Sequence, residues 1–95
     1  MSKKDAYVNK MKAQLDEWSA EIDRLQAEAE KAEAGLRLEY TKKIDKLKNL
    51  RKAAQQKLLE LKESGDDVWK EFKAGVESAW SELENAVNKL GDEIQ

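Results

Sequence analysis

The sequence contains no cysteine, no histidine and no proline, and only four of its 95 residues are glycine. Without cysteine or histidine it has no zinc finger, thiol nucleophile, disulfide or imidazole acid–base group. Without proline, nothing in the chain forbids a long uninterrupted helix. The length predicts a single domain, residues 1–95. A domain this small and this charged has a limited core, so we expect a second chain to complete the burial.

Long apolar runs are also missing. No stretch reaches about 18 consecutive apolar residues, which argues against a transmembrane helix, and the first residues show no signal-peptide pattern. Charged residues make up 40% of the chain, with Lys+Arg 18 against Asp+Glu 20. A balance this close to neutral indicates neither nucleic acid nor an anionic membrane surface as the partner. We therefore expect a cytoplasmic protein.

What the sequence does contain is a helical period. From Val8 onward the apolar residues alternate in steps of three and four, in two narrow columns with polar residues on both sides. A stripe this narrow is typical of a coiled-coil interface rather than of a helix on a broad core. The residues predicted to form an oligomer interface between chains are Val8, Met11, Leu15, Trp18, Ile22 and Leu25.

The stripe continues past Leu36 with an offset of four residues, which unwinds a supercoil locally without ending the helix. The clearest break is Ser64-Gly65-Asp66-Asp67, where Gly65 suits a helix end and Asp66 or Asp67 can cap the next helix. The sequence thus predicts an all-α fold with a helix at about 3–63, a turn at 64–66 and a helix at about 67–94. These two helices would form an antiparallel hairpin within a coiled-coil oligomer.

Gly35 leaves an alternative open, because a turn there would give a monomeric three-helix bundle. We favour the continuous helix for two reasons. The segment Ala34-Gly35-Leu36-Arg37 has no proline and no Ser, Asp or Asn to cap a new helix. Glu33 and Arg37 are also spaced as a helical ion pair in the favoured orientation.

The two halves of the predicted hairpin carry opposite charge. Residues 41–62 hold eight basic and two acidic side chains, a balance of +6, and residues 66–95 hold three basic and eight acidic ones, a balance of −5. Such flanks set the orientation and register of paired helices. Nucleic acid is disfavoured as a partner of the basic run because base-stacking aromatics are missing from it. The predicted hairpin core is Tyr40, Ile44, Leu47, Leu58, Leu61, Trp69, Phe72, Val76, Trp80, Leu83 and Val87.

No residue pattern indicates catalysis. Neighbouring carboxylates such as Asp16-Glu17 and Asp66-Asp67 are explained as surface or capping residues. The di-metal motif of helical bundles needs a histidine, and neither an EF-hand spacing nor a glycine-rich phosphate loop occurs. We expect no catalytic residues, no cofactor, no metal site and no enzymatic activity.

The three tryptophans, Trp18, Trp69 and Trp80, lie on the apolar stripes and are predicted to be core residues. In the alternative interpretation the second helix lies reversibly on a membrane or lipid, with its aromatic residues at the interface. The acidic balance of that helix opposes binding to anionic lipid. A membrane or lipid therefore ranks below a protein as the predicted partner.

The segments Asp5–Val8, Met11–Trp18, Ile22–Leu25 and Ala74–Leu83 together resemble small bacterial coiled-coil proteins of the stress-response type first catalogued in cyanobacteria. The resemblance spans nearly the whole chain. It implies a bacterial cytoplasm and an association with stress, and it supplies no catalytic or binding residues. We expect a non-enzymatic, homo-oligomeric coiled-coil protein for interaction or scaffolding. Its first partner would be itself, as a dimer or a tetramer, with a further protein partner left open.

Overall fold

Three α-helices make up most of residues 2–94, the part of the chain that the computed structural model describes. Helix α1 is Lys3–Glu30, α2 is Ala34–Glu63 and α3 is Trp69–Ile94. Each helix contacts the other two, in an up-down-up bundle of 52 × 19 × 17 Å. The all-α prediction is confirmed. Residues 1 and 95, which the predicted domain includes, lie outside the described residues.

The helix ends differ in how well they are capped. Ser2 caps α1, because its hydroxyl accepts a hydrogen bond of 3.1 Å from the amide of Asp5. Helix α2 starts after Glu33, which is extended (φ −58°, ψ 154°) and makes no side-chain cap hydrogen bond. Ser64 is extended and ends α2, and its hydroxyl donates to the carbonyl of Leu61. The turn between α1 and α2 is therefore the one that capping hydrogen bonds define least.

The predicted continuous helix over residues 3–63 is wrong, because the chain turns at Lys31-Ala32-Glu33. The arrangement is the three-helix bundle of the alternative, but Gly35 is not the break. It lies in the first turn of α2 with a negative φ. The last helix begins at Trp69 rather than at residue 67, since the amides of Val68 and Trp69 both donate to the carbonyl of Gly65 in a turn. Folding α1 back buries its apolar face within the chain. The free energy of this burial comes from contacts distant in sequence, so capping and propensity do not predict it.

The residues predicted as an interface between chains lie in the core of the single chain. Five of the six are buried, and Trp18 is half-buried with its ring 6.3 Å from that of Trp80. A continuous helix over residues 3–63 paired with the shorter helix at 67–94 would leave residues 3–34 without a partner in their own chain. The structure differs, because α2 and α3 together cover α1.

The predicted hairpin core is mostly buried, with two differences. Tyr40 is half-buried, and its hydroxyl donates to the carbonyl of Glu93 at 3.3 Å. Phe72, predicted as core, is 39% exposed. Counting along the antiparallel helices from the Lys43–Glu93 contact places Phe72 level with Ser64, where α2 has ended. The buried members are Ile44, Leu47, Leu58, Leu61, Trp69, Val76, Trp80, Leu83 and Val87.

Candidate interaction surface

The groove between α2 and α3 brings charges of both signs together over an apolar floor. At the end formed by the start of α2 and the end of α3, a shallow cavity of about 140 Å³ is lined by Lys43, Lys46 and Leu47 of α2 and Ala86, Lys89, Leu90 and Glu93 of α3. The Nζ atom of Lys43 lies 2.8 Å from the carboxylate of Glu93. That hydrogen bond raises the pKa of Lys43. It is the one ion pair between α2 and α3 among the described residues.

The remaining basic residues of α2 are left without a carboxylate partner. None of the seven others in residues 41–62 has an acidic oxygen within 4.0 Å in the described chain. Of the complementary charge blocks predicted to align the hairpin, only Lys43 and Glu93 form an ion pair across it in the described chain. These seven are Lys42, Lys46, Lys48, Arg51, Lys52, Lys57 and Lys62.

Helix α3 has a matching excess of free carboxylates. Glu77 pairs with Lys73 at 4.0 Å, and Glu93 pairs with Lys43. Glu71, Glu82 and other acidic residues of this helix form no ion pair among residues 2–94. The two neighbouring helices thus present unneutralised charge of opposite sign.

These charges follow a common spacing. Lys46 and Lys57 are eleven residues apart, about three helical turns, and so lie on one face of α2. The same spacing puts Glu82 and Glu93 on one face of α3. Counting along the antiparallel helices from the Lys43–Glu93 contact places Glu82 level with residue 54, so Lys57 lies about one helical turn from it.

We call this surface the α2–α3 face. The helical period places on it, besides Lys46, Lys57, Glu82 and Glu93, the apolar and small residues Leu50, Ala53, Phe72, Gly75, Ala79 and Ala86. Phe72 is exposed and Leu50 is half-buried. Sequence reasoning identified the charged blocks but not these positions. The eleven-residue spacing was the signal that could have found them.

A second cluster joins α1 to the start of α3. The hydroxyl of Tyr7 donates to the carboxylate of Glu77 at 3.5 Å, its ring centroid is 5.7 Å from that of Trp69, and the ammonium of Lys73 lies 5.3 Å from the ring. Burial, followed by the charge and hydrogen bond of Glu77, raises the pKa of Tyr7 to about 12. Trp69 is buried, Tyr7 and Lys73 are half-buried and Glu77 is exposed, so the cluster runs from the core to the surface.

A surface pair within α1 has only a local effect. The guanidinium of Arg24 donates to the carboxylate of Glu21 one turn earlier. This hydrogen bond lowers the pKa of Glu21. Because both groups belong to one helix, the pair contributes to α1 and not to the packing of the bundle.

A lipid-binding use of the tryptophans would require the bundle to open. Trp69 is 7% and Trp80 is 3% exposed, so neither presents its ring to a membrane in this fold. No helix within residues 2–94 combines the length and apolar character needed to cross a bilayer. The described residues also contain no cluster of three or more acidic side chains arranged to hold a metal ion.

Comparison with known protein families, with curated proteins and with solved structures gives no significant match. Function is therefore inferred from the chemistry of the surface.

Proposed function

We propose that this protein is a non-enzymatic interaction protein that assembles with a second copy of itself through the α2–α3 face. The observation that supports this is a shared spacing on the two helices. Lys46 and Lys57, both exposed and without an ion-pair partner among the described residues, are as far apart on α2 as Glu82 and Glu93 are on α3. A surface with both signs of charge in separate stripes is complementary to itself. A closed dimer with two-fold symmetry uses the same patch on both subunits and suits such a surface.

The geometry of the dimer follows from the register. A two-fold axis parallel to the bundle places α2 of one copy on α3 of the other, at the same height. Lys57 then lies about one helical turn from the partner's Glu82, and Lys46 about one turn from the partner's Glu93, offsets that a long lysine side chain can span. By symmetry each contact occurs twice, so the face contributes four ion pairs.

Apolar and small side chains between the charges support close packing. Gly75 and Ala53 are exposed and let helices approach, and Phe72 offers an aromatic ring for burial. One long side of the bundle measures 52 × 19 Å. That side has room for the roughly 800 Å² per partner that a stable interface buries.

The biological setting is part of the proposal. The resemblance of Asp5–Val8, Met11–Trp18, Ile22–Leu25 and Ala74–Leu83 to bacterial stress-response coiled-coil proteins supports a bacterial, cytoplasmic and stress-associated role. Self-assembly through a charged face would then build a scaffold whose extent depends on protein concentration and ionic strength.

Charge reversal tests the face directly. We expect Lys57→Glu to weaken dimerisation about tenfold, because the symmetric contact is lost twice and replaced by repulsion. Glu82→Lys is expected to do the same. Mixing the two variants restores a heterodimer, since the reversed α2 of one then meets the reversed α3 of the other. Sedimentation velocity at low and high salt measures all three samples.

The matched control is Lys10→Glu, an exposed position on α1 with the same change in charge. It leaves dimerisation within about twofold of the wild type. A wild type that sediments as a monomer at every concentration and salt would contradict the proposal. Equal dimerisation of the wild type and Lys57→Glu would contradict the assigned face.

A further inference from the structure

The turn between α1 and α2 is held by few interactions of its own. Lys31 has helical dihedral angles (φ −85°, ψ −8°), and Glu33 is extended. The first α2 amide with a backbone acceptor is that of Arg37, which donates to the carbonyl of Glu33 at 2.7 Å. The amides of Ala34, Gly35 and Leu36 form no hydrogen bond within the described chain. A straight helix would supply them with the carbonyls at 30, 31 and 32.

The residues of the turn are themselves good helix formers. Lysine, alanine and glutamate all rank high in helix propensity. On a straight helix Glu33 and Arg37 are also one turn apart in the favoured orientation. The chain therefore turns here because α1 packs on α2 and α3, and not because its local sequence demands a turn.

Two exposed leucines follow the turn directly. Leu36 is 45% and Leu38 is 61% exposed. Leu36 stands seven residues after Ala29, which is 2% exposed, and on a straight helix it would extend the same apolar column. In the closed bundle the turn interrupts this column, and Leu36 remains 45% exposed.

We propose that α1 is exchanged between two copies of the chain by straightening of the turn at residues 31–33. Residues 3–63 then form one helix, and α1 packs on α2 and α3 of the partner. Every contact of α1 in the bundle is kept and becomes a contact between chains. The two forms differ only at the turn and where the two straight helices cross, so protein concentration governs the balance between them.

The exchanged dimer has a distinct shape. A straight helix of 61 residues is about 92 Å long, against 52 Å for the bundle. Small residues surround the crossing point, among them Ala29, Ala32 and Ala34. They allow two helices to approach closely there, with Leu36 covered by the other chain.

The exchange does not depend on the α2–α3 face. A dimer through that face joins two closed bundles side by side, stays close to 52 Å long and is weakened by salt. The exchanged dimer is elongated and persists at high salt, because the bundle core holds it together. Shape and salt dependence therefore separate the two assemblies.

Two variants bias the turn in opposite directions. Ala34→Pro fits the closed form, since residue 34 opens α2, its amide has no acceptor and Glu33 is extended as proline requires. In a straight helix the proline ring clashes with the carbonyl of Glu30. Deletion of residues 31–34 leaves too little chain for a turn between α1 and α2. It also removes the four-residue offset in the apolar column, so that Tyr40 falls seven residues after Ala29. Ala34→Ser fits both forms and is the control.

The measurement is small-angle scattering with light scattering at high salt, after refolding at high protein concentration. We expect the wild type and Ala34→Ser to yield an elongated dimer beside the compact monomer. Ala34→Pro lowers the elongated fraction by about a hundredfold, and the deletion chain is an elongated dimer throughout. A wild type that yields only compact particles, or an elongated fraction that Ala34→Pro does not change, overturns the proposal. The comparison of wild type with Ala34→Pro decides this even if the deletion chain does not fold.

Discussion

The hydroxyl of Tyr7 donates a hydrogen bond of 3.5 Å to the carboxylate of Glu77 and so joins α1 to α3. Burial and this carboxylate raise the pKa of Tyr7 to about 12 from an ordinary 10.0. The folded state thus holds the phenolic proton more tightly than the unfolded state does. The resulting stabilisation is complete below pH 10 and is lost as the pH rises towards 12.

Tyr7→Phe tests this linkage. At neutral pH the variant is expected to lie within about 1 kcal/mol of the wild type in free energy of unfolding, because the lost hydrogen bond is long. Above pH 10 the wild type loses stability faster than the variant. Urea denaturation across this pH range measures the difference. A constant difference at every pH would show that Tyr7 is not the linked group.

Leu25 is fully buried between α1 and its neighbours, whereas Leu38 is 61% exposed. We expect Leu25→Ala to lower the free energy of unfolding by about 2–5 kcal/mol, and Leu38→Ala to change it by less than about 0.5 kcal/mol. Urea denaturation of dilute protein provides both values. Equal losses at the two positions would contradict the packing of α1 within its own chain.

Trp80 and Trp69 are both buried, but only Trp80 has an indole N–H that is shielded from solvent and lacks a hydrogen-bond partner within the described chain. Trp80→Phe removes that unsatisfied donor, which offsets part of the cavity cost. We therefore expect Trp80→Phe to cost at least about 1 kcal/mol less than Trp69→Phe. Chemical denaturation of the two variants gives the comparison, and a larger loss at position 80 would show that its N–H is satisfied.

Gly91 lies inside α3 with a negative φ, and an added Cβ would meet the Leu25 side chain at an ordinary 4.0 Å. Gly91→Ala is expected to stabilise the bundle by about 0.5–1 kcal/mol through helix propensity. Gly35→Ala should give less, because a Cβ at position 35 meets nothing within 4 Å, whereas the Cβ at position 91 also packs on Leu25. Thermal unfolding of both variants checks the order of the two gains.

Periodicity was enough to identify most of the core. Ile22 and Leu83 were placed on apolar stripes by the steps of three and four, and both are fully buried. Periodicity could not identify the helix that covers the apolar stripe of α1, because the same narrow face can pack on a second chain or on the other helices of its own chain. The prediction that Phe72 is a core residue is wrong for a related reason. Its position follows the apolar period of α3, but α2 ends before it can cover the ring.

The turn at residues 31–33 could not be predicted from local signals. Lys31, Ala32 and Glu33 favour a helix, and no capping side chain marks the start of α2. The turn forms because folding back within one chain avoids the entropy of bringing two chains together. For the candidate surface, the sequence predicted the charged blocks around Lys57 and Glu82. It could not predict which of them would remain unpaired.

Leu25 lies beside Gly91, where an added Cβ would be 4.0 Å from its side chain, so the first helix packs near the last turn of the third, which has a consequence during synthesis. At a ribosomal rate of about 5–20 residues per second, α1 waits roughly 3–12 s for position 91 to be made. During that interval only α2 can cover α1, so the part of its apolar stripe that α3 covers stays exposed beside other nascent chains on the same messenger RNA. Neighbouring ribosomes thus bring together the copies between which α1 would be exchanged.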